Sequence, residues 1–402
     1  MPRNIQTPYL LMVLMLGLLA GIAPATIDAY LPAFGALEQE FGVTPEAVQR
    51  TLGVYTSAYA AMLLVHGTLS DCFGRRRIIL VALGLYLAGT LMAALAPGFG
   101  WLLAGRTLQG LAAGAGLVVG EAIVRDCYDD EVARRTLSYI VMVFNVSPAL
   151  APIVGGYLVV AQGWRAVFFV LAVVALSTLM LCAARLPETL PSVRRQPLAW
   201  RALFADAQDL LRDPHYRGMT LAASLLVASQ AFLIGSAPDF VGHVLGLPET
   251  ALAVLFLPLV AGAMAGALLA ARLPSRWAST WTIPGAYTLM AGGSLANVFY
   301  LASAPTPALP WAVVLPAFFT GGLAMVMPAL TLRALARAPS RAGMAASLLG
   351  FSQMMAFSLV AGWCVPLIYG RPLRMALIML ACTGVSMTLW MWMRLRTPAR
   401  PV

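Results

Sequence analysis

The chain has 402 residues, 60% of them apolar and only 10% charged, against about 25% charged in soluble proteins. That balance excludes a soluble globular protein. The formal charge of +10 does not point to nucleic acid, because the basic residues, all arginine, stand singly or in short clusters between apolar runs, as on the positive face of a polytopic membrane protein.

At roughly 20 residues per crossing, the length accommodates twelve membrane helices. Apolar spans are marked at 9–34, 46–66, 78–97, 100–124, 136–161, 165–185, 218–240, 250–272, 281–303, 309–332, 342–368 and 373–394. The first begins at Tyr9 behind one arginine; it is too long for a signal-peptide core and reads as an uncleaved helix. With the N-terminus inside, twenty-one arginines fall in cytoplasmic segments and four (Arg50, Arg165, Arg371 and Arg374) on the opposite side. This bias puts both termini in the cytoplasm.

The longest hydrophilic stretch divides the spans six and six, giving an N-terminal bundle over 1–186, a cytoplasmic linker over 187–217 and a C-terminal bundle over 218–402. Residues 198–212 are expected to form an amphipathic helix at the surface. Two pseudo-symmetric six-helix bundles fit the duplicated plan of secondary transporters. A faint repeat agrees: Gly266 to Arg272 and Arg276 close the eighth span much as Gly67 to Arg75 close the second, 199 residues earlier.

Between the second and third spans lies Gly67-Thr68-Leu69-Ser70-Asp71-Cys72-Phe73-Gly74-Arg75-Arg76-Arg77, expected to be a tight charged turn at the membrane surface. Gly67 permits close helix approach. Asp71 is suited to a neighbouring helix N-terminus, whose dipole is positive. Arg75 and Arg76 are placed to pair with acids such as Asp126, making a latch on the cytoplasmic side. A plain positive-inside turn accounts for the arginines but not for the acid and both glycines.

An ionisable side chain in hydrocarbon costs several kcal/mol unless it faces water or a partner, so each one is a functional candidate. Asp28 in the first span and Arg106 in the fourth both lie about 8–9 Å below the outer edge, counting ~1.5 Å per residue. Opposite charges at one depth are expected to meet. In that reading Asp28 binds and releases a proton, with Arg106 tuning it; the bland alternative is a static ion pair fastening two helices. Glu121, fifteen residues after Arg106, is either a second protonatable group and anchor for cations or a side chain reaching the surface beside Arg125. Asp239 at the outer end of the seventh span reads as solvated there, with a role in substrate entry as the alternative, and His66 beside the charged turn as a surface or capping histidine, with a proton carrier as the alternative.

In the fifth span Ser147, Ala151 and Gly155 stand four apart and share a face that admits another helix closely, and Pro148 and Pro152 remove backbone donors. Gly262 and Gly266 of the eighth span form a matching face, so the fifth and eighth spans are expected to cross tightly. Cys72, Cys127, Cys182, Cys364 and Cys382 lack metal-ligand spacing and read as packing residues. No metal site is expected.

Together these motifs resemble a twelve-helix drug:proton antiporter of the major facilitator superfamily, of the Bcr/CflA type. Asp28 with Tyr30-Leu31-Pro32 is similar to that family's first-helix D-x-Y-L-P. Gly67, Asp71, Gly74, Arg75 and Arg76 match its cytoplasmic-turn motif; Arg106, Gln109 and Gly110, with Arg125-Asp126, match its fourth-helix motif; Pro152, Gly155 and Gly156 match its helix-5 antiporter motif. Departures are Cys72 for a basic residue, Ser147 and Ala151 for glycines, and Glu121 for an aromatic or small residue. The resemblance implies an all-α membrane protein of the major facilitator fold that exports drugs or other small amphipathic compounds in exchange for protons, by alternating access, in the bacterial inner membrane. The proton gradient supplies the energy and no cofactor is needed. Partners would be the small-molecule substrate, protons and the lipid bilayer, and the state a monomer. Spans 1, 4, 7 and 10 would line the cavity, with Tyr30, Tyr55, Tyr59, Gln109, Glu121 and Gln230 as candidates. Exporting a metabolite such as an amino acid or sugar is the alternative, and a non-transporting receptor a more distant one. No enzyme motif of the metalloprotease, nucleophile-elbow or phosphate-loop type is present.

Overall fold

The computed structural model of the protein describes residues 7–195, 200–248, 251–273, 275–304 and 306–396. It is helical throughout. The long helices are α1 (Tyr9–Asp28), α2 (Pro45–Phe73), α3 (Arg75–Ala94), α4 (Phe99–Cys127), α5 (Asp130–Gln162), α6 (Trp164–Arg185), α7 (Pro214–Gly235), α8 (Leu252–Arg272), α9 (Ser275–Ser303), α10 (Trp311–Leu335), α11 (Ala342–Leu359) and α12 (Pro372–Arg396). Among the described residues, eleven stretches are long and apolar enough to cross a membrane. The twelfth expected span, 281–303, lies in α9, which has the length but carries polar Thr282, Ser294 and Asn297 in its interior.

The helix ends follow local chemistry. Thr44 starts α2 by accepting a hydrogen bond from the Ala47 amide, with Pro45 preset for the first helical position. The first expected span is broken: α1 stops at Asp28, a 3-10 turn covers Leu31–Ala33 around Pro32, and a short helix follows at Phe34–Phe41. The expected charged loop between the second and third spans is shorter than anticipated. α2 continues to Phe73, and Gly74 alone separates it from α3, at φ 99°, a backbone region that an L side chain rarely adopts. α5 runs unbroken through Pro148 and Pro152.

The chain forms two compact units, Met1–Trp200 and Arg201–Val402. In the first, glycines set the helix spacing. A side chain at Gly110 would collide with the Tyr55 carbonyl of α2, and one at Gly116 with the Leu19 carbonyl of α1; small residues let the backbones touch there. The glycine of the helix-5 motif, Gly155, lies against the Ala29 carbonyl, just past the end of α1. In the second unit, Gly262 and Gly266 of α8 lie against Ala317 and Gly321 of α10. Gly155, Gly262 and Gly266 thus each meet a small residue inside their own unit. The expectation for Gly67 is corrected, because a methyl there would sit at an ordinary 3.5 Å from Val118.

The amphipathic helix expected over 198–212 spans Trp200–Arg212; residues 198 and 199 lie outside the described residues. Its Asp206 and Asp209 pair with Arg341 at 3.2 and 3.3 Å. Asp213 follows, accepting from the His215 and Tyr216 amides to cap α7 and pairing with Arg337 at 3.5 Å. The helix is thus lashed to the α10–α11 connection.

Candidate functional site

Arg106 is the largest fully buried side chain among the described residues. Its guanidinium lies between two rings, with the central carbon 4.4 Å from the Tyr30 centroid and 4.3 Å from that of Tyr55. A cation held on two aromatic faces away from water gains roughly 2 kcal/mol or more per contact. One nitrogen donates to Gln109 Oε1 at 2.9 Å, three residues along α4, and Gln109 Nε2 donates to Thr90 of α3 at 2.8 Å. The remaining Nε and NH2 groups of Arg106 have no partner among the described residues.

The surrounding hydroxyls are fixed in turn. Tyr30 shares a hydrogen bond of 2.7 Å with Thr51, Tyr55 donates to the Ala23 carbonyl at 3.2 Å, and Thr26 meets Tyr86 at 2.5 Å. Tyr55 and Tyr59 stack in parallel with centroids 6.5 Å apart, as residues four apart on one helix can. Tyr30, Tyr55, Tyr59 and Gln109 are all buried. Tyr30, Tyr55 and Gln109 are not turned to an open cavity as expected: Arg106 holds the two rings by their faces, and Thr51, the Ala23 carbonyl, Arg106 and Thr90 take up the polar ends. Gln230 is half-buried on α7.

Asp28 is 3% exposed, and no hydrogen bond or ion pair reaches it from the described residues. The expected pairing with Arg106 is not made; the guanidinium meets rings and an amide instead. Helix azimuth explains this. Leu19, Ala23, Thr26 and Tyr30, spaced by three and four, contact α4, α2, α3 and Arg106 in turn. Gly17 and Gly21 lie against Val143 of α5, and Asp28, seven beyond Gly21, continues that second stripe. Two residues at about 100° each separate Asp28 from Tyr30, placing them on opposite sides. The acid faces the α5 side of α1 and the arginine the α2–α4 side.

Glu121 is half-buried and pairs with Arg125 at 3.3 Å. The α2–α3 turn carries a denser cluster. Arg75 binds Asp71 at 2.6 Å, Asp126 at 3.2 Å and the Ser70 hydroxyl at 2.5 Å. Arg76 donates to the Ala183 carbonyl at 2.7 Å. The N-terminus of α3 is occupied by Glu188, which accepts from the Arg75 amide at 2.9 Å. Asp71, expected at a helix N-terminus, is instead held by Arg75. A side chain at Gly74 would strike the Glu188 carboxylate, so glycine is required there twice, for its φ and for room. Thr189 donates to Asp126 at 3.1 Å. Sequence reasoning missed Glu188; the signal was an acid directly after Leu186-Pro187, where α6 stops. All these groups belong to the first unit, which the cluster ties from α2 through α3 and α4 to the start of the linker.

Of the helix-5 motif, Pro152, Gly155 and Gly156 are buried and Pro148 half-buried. Asp239 accepts from the Gly370 amide at 2.8 Å and meets His243 at 3.1 Å. His66 is buried with its Nδ1 unpaired, beside Gly114 of α4, not at the surface as expected.

A two-unit, all-helical membrane fold with ionisable groups buried inside it defines a membrane transporter of small molecules. Residues 16–361 match the Major Facilitator Superfamily, and the chain belongs to that family. It is similar to the bicyclomycin resistance protein homolog of Haemophilus influenzae, at 28% identity over 86% of this chain and 87% of that protein. It is also similar to the multidrug resistance protein MdtL of Shigella dysenteriae, at 26% over 94% of each. An uncharacterized transporter of the family from Bacillus subtilis, YdgK, is 29% identical, and the chain spans only 63% of that relative's length. The crystal structure of the human organic anion transporter MFSD10 superposes with a TM-score of 0.69 over 96% of this chain and 98% of that one, at 18% identity; it shows the fold alone.

Proposed function

We propose that the protein is a proton-coupled exporter of drugs or similar amphipathic compounds, of the Bcr/CflA type, working by alternating access in a bacterial inner membrane with both termini in the cytoplasm. The observation that carries the reading is Asp28: a carboxyl buried in the first span with no ion pair among the described residues. Gaining or losing a proton there changes the charge by one, and a charge in such surroundings costs several kcal/mol. Protonation is therefore linked to any rearrangement that brings water or a cation to the site. Arg106 contributes as a fixed positive charge held by Tyr30, Tyr55 and Gln109 on the other side of α1, rather than as the acid's direct partner. The drug-resistance relatives over most of the chain support the cargo class, and the arginine bias supports the orientation. The Asp71, Arg75, Asp126 and Glu188 cluster is the cytoplasmic latch of the first bundle.

Efflux of a fluorescent dye from vesicles, with and without a pH gradient, tests this directly. Wild-type protein is expected to move the dye only with the gradient, and Asp28→Asn to lose that movement while remaining folded. Unchanged gradient-driven efflux in Asp28→Asn removes the carrier assignment. Glu121→Gln is expected to weaken transport of cationic dyes more than neutral ones, as an acid that exchanges Arg125 for a cationic cargo would require.

A further inference from the structure

One stripe of the helix Trp200–Arg212 is both apolar and exposed. Phe204 and Leu211, seven residues apart, are 71% and 41% exposed. Residues at that spacing share a side, since seven steps of about 100° return to within about 20° of the start. The helix has 13 residues, too few to cross a bilayer, so this stripe is not part of a span. Leu203 and Leu210, also seven apart, form the adjoining stripe, the first half-buried and the second buried.

Charge is sorted around the same helix. Two steps of about 100° separate Phe204 from Asp206 and Leu211 from Asp209, so both acids lie on the side opposite the exposed stripe. Arg341 holds them there, at 3.2 and 3.3 Å. Arg201 and Arg212 are exposed and share a third side, next to the exposed stripe. Arg212 reaches Asp209 at 3.5 Å with 70% of its side chain still exposed. The helix also sits at the level where spans begin: Asp213 alone joins it to α7, and Arg341 leads directly into α11. An apolar stripe flanked by arginines, with the acids turned away, is complementary to an anionic lipid surface. A helix surrounded by water would gain by the reverse arrangement, with the stripe buried against the protein and the acids exposed.

We infer that the helix Trp200–Arg212 docks on anionic phospholipid at the membrane face where α7 and α11 begin. Phe204 and Leu211 enter the boundary between headgroups and acyl chains, Arg201 and Arg212 bind phosphate oxygens, and Asp206 and Asp209 tie the opposite side to Arg341. The inference stands apart from cargo and coupling ion, since none of these residues belongs to the proposed carrier site.

The test is backbone hydrogen exchange over residues 201–212 of the purified full-length chain, in nanodiscs of phosphatidylcholine alone and of phosphatidylcholine mixed with phosphatidylglycerol. The wild-type segment is expected to exchange roughly tenfold more slowly with phosphatidylglycerol, as two arginines at an anionic surface imply. Phe204→Ser combined with Leu211→Ser should exchange fast in both discs. Arg201→Gln combined with Arg212→Gln should bring the two discs within about twofold of each other. Asp206→Asn combined with Asp209→Asn should speed exchange in both discs by loosening the tie to Arg341, yet keep the lipid difference, because those acids face away from the bilayer. Equal wild-type exchange in the two discs overturns the docking, whether fast, as for a helix in water or one that awaits a soluble partner, or slow, as for a stripe covered by the rest of the chain. A lipid difference that survives the arginine or the apolar substitutions overturns it too.

Discussion

The two units solve the problem of buried polarity differently. In the first, the buried polar side chains include Asp28, His66, Arg75 and Arg106; in the second, those described are all hydroxyls and one asparagine. Arg106 sits between Tyr30 and Tyr55, whereas Tyr287 in the second unit bonds to Ser386, which bonds to the Ala222 carbonyl. Among the described residues, buried charge is found in the first unit, and the buried polar side chains of the second are neutral.

The sharpest break is in coupling itself: Asp28→Asn should abolish gradient-driven efflux, while no single polar substitution in the second unit should do so, as vesicle transport would show. Next come the stabilities. Gly116→Leu, against the Leu19 carbonyl, should prevent stable assembly of the first unit, costing more than about 3 kcal/mol, while Gly67→Ala should be tolerated; detergent thermal stability separates them. Tyr55→Ala should cost about 3 kcal/mol, combining a lost aromatic and a lost cation contact. Its counterpart Tyr287→Phe should cost only about 1 kcal/mol for one hydrogen bond. Smallest is Glu188→Gln, which weakens the charge at the α3 N-terminus by about 0.5–1 kcal/mol and should make the 186–195 segment more open to protease.

Much of the fold was legible because hydrophobic run length and arginine placement are strong constraints in a membrane. The residues of the turn motif were legible too: Arg75 meets Asp126 as the charges suggested. What failed needed azimuth. Counting residues placed Asp28 and Arg106 at one depth, but depth says nothing about which side of α1 each addresses, and the contacts of Gly17, Gly21, Ala23 and Thr26 decide that. Tyr30 and Tyr55 were misread because an aromatic ring lines a cavity or wraps a cation equally well, and only the position of Arg106 chooses. Ser147 to Gly155 showed a face for close packing without showing its partner, which is α1 through Ala29. Glu188 escaped because its role depends on Gly74 leaving it room.

Proton release on cargo binding tests the central claim most directly. Purified protein in unbuffered detergent solution, near neutral pH, is mixed with a saturating cationic dye and the pH followed. The account predicts release of protons from the wild-type chain and none from Asp28→Asn, although the dye still binds. Equal release from both proteins contradicts it.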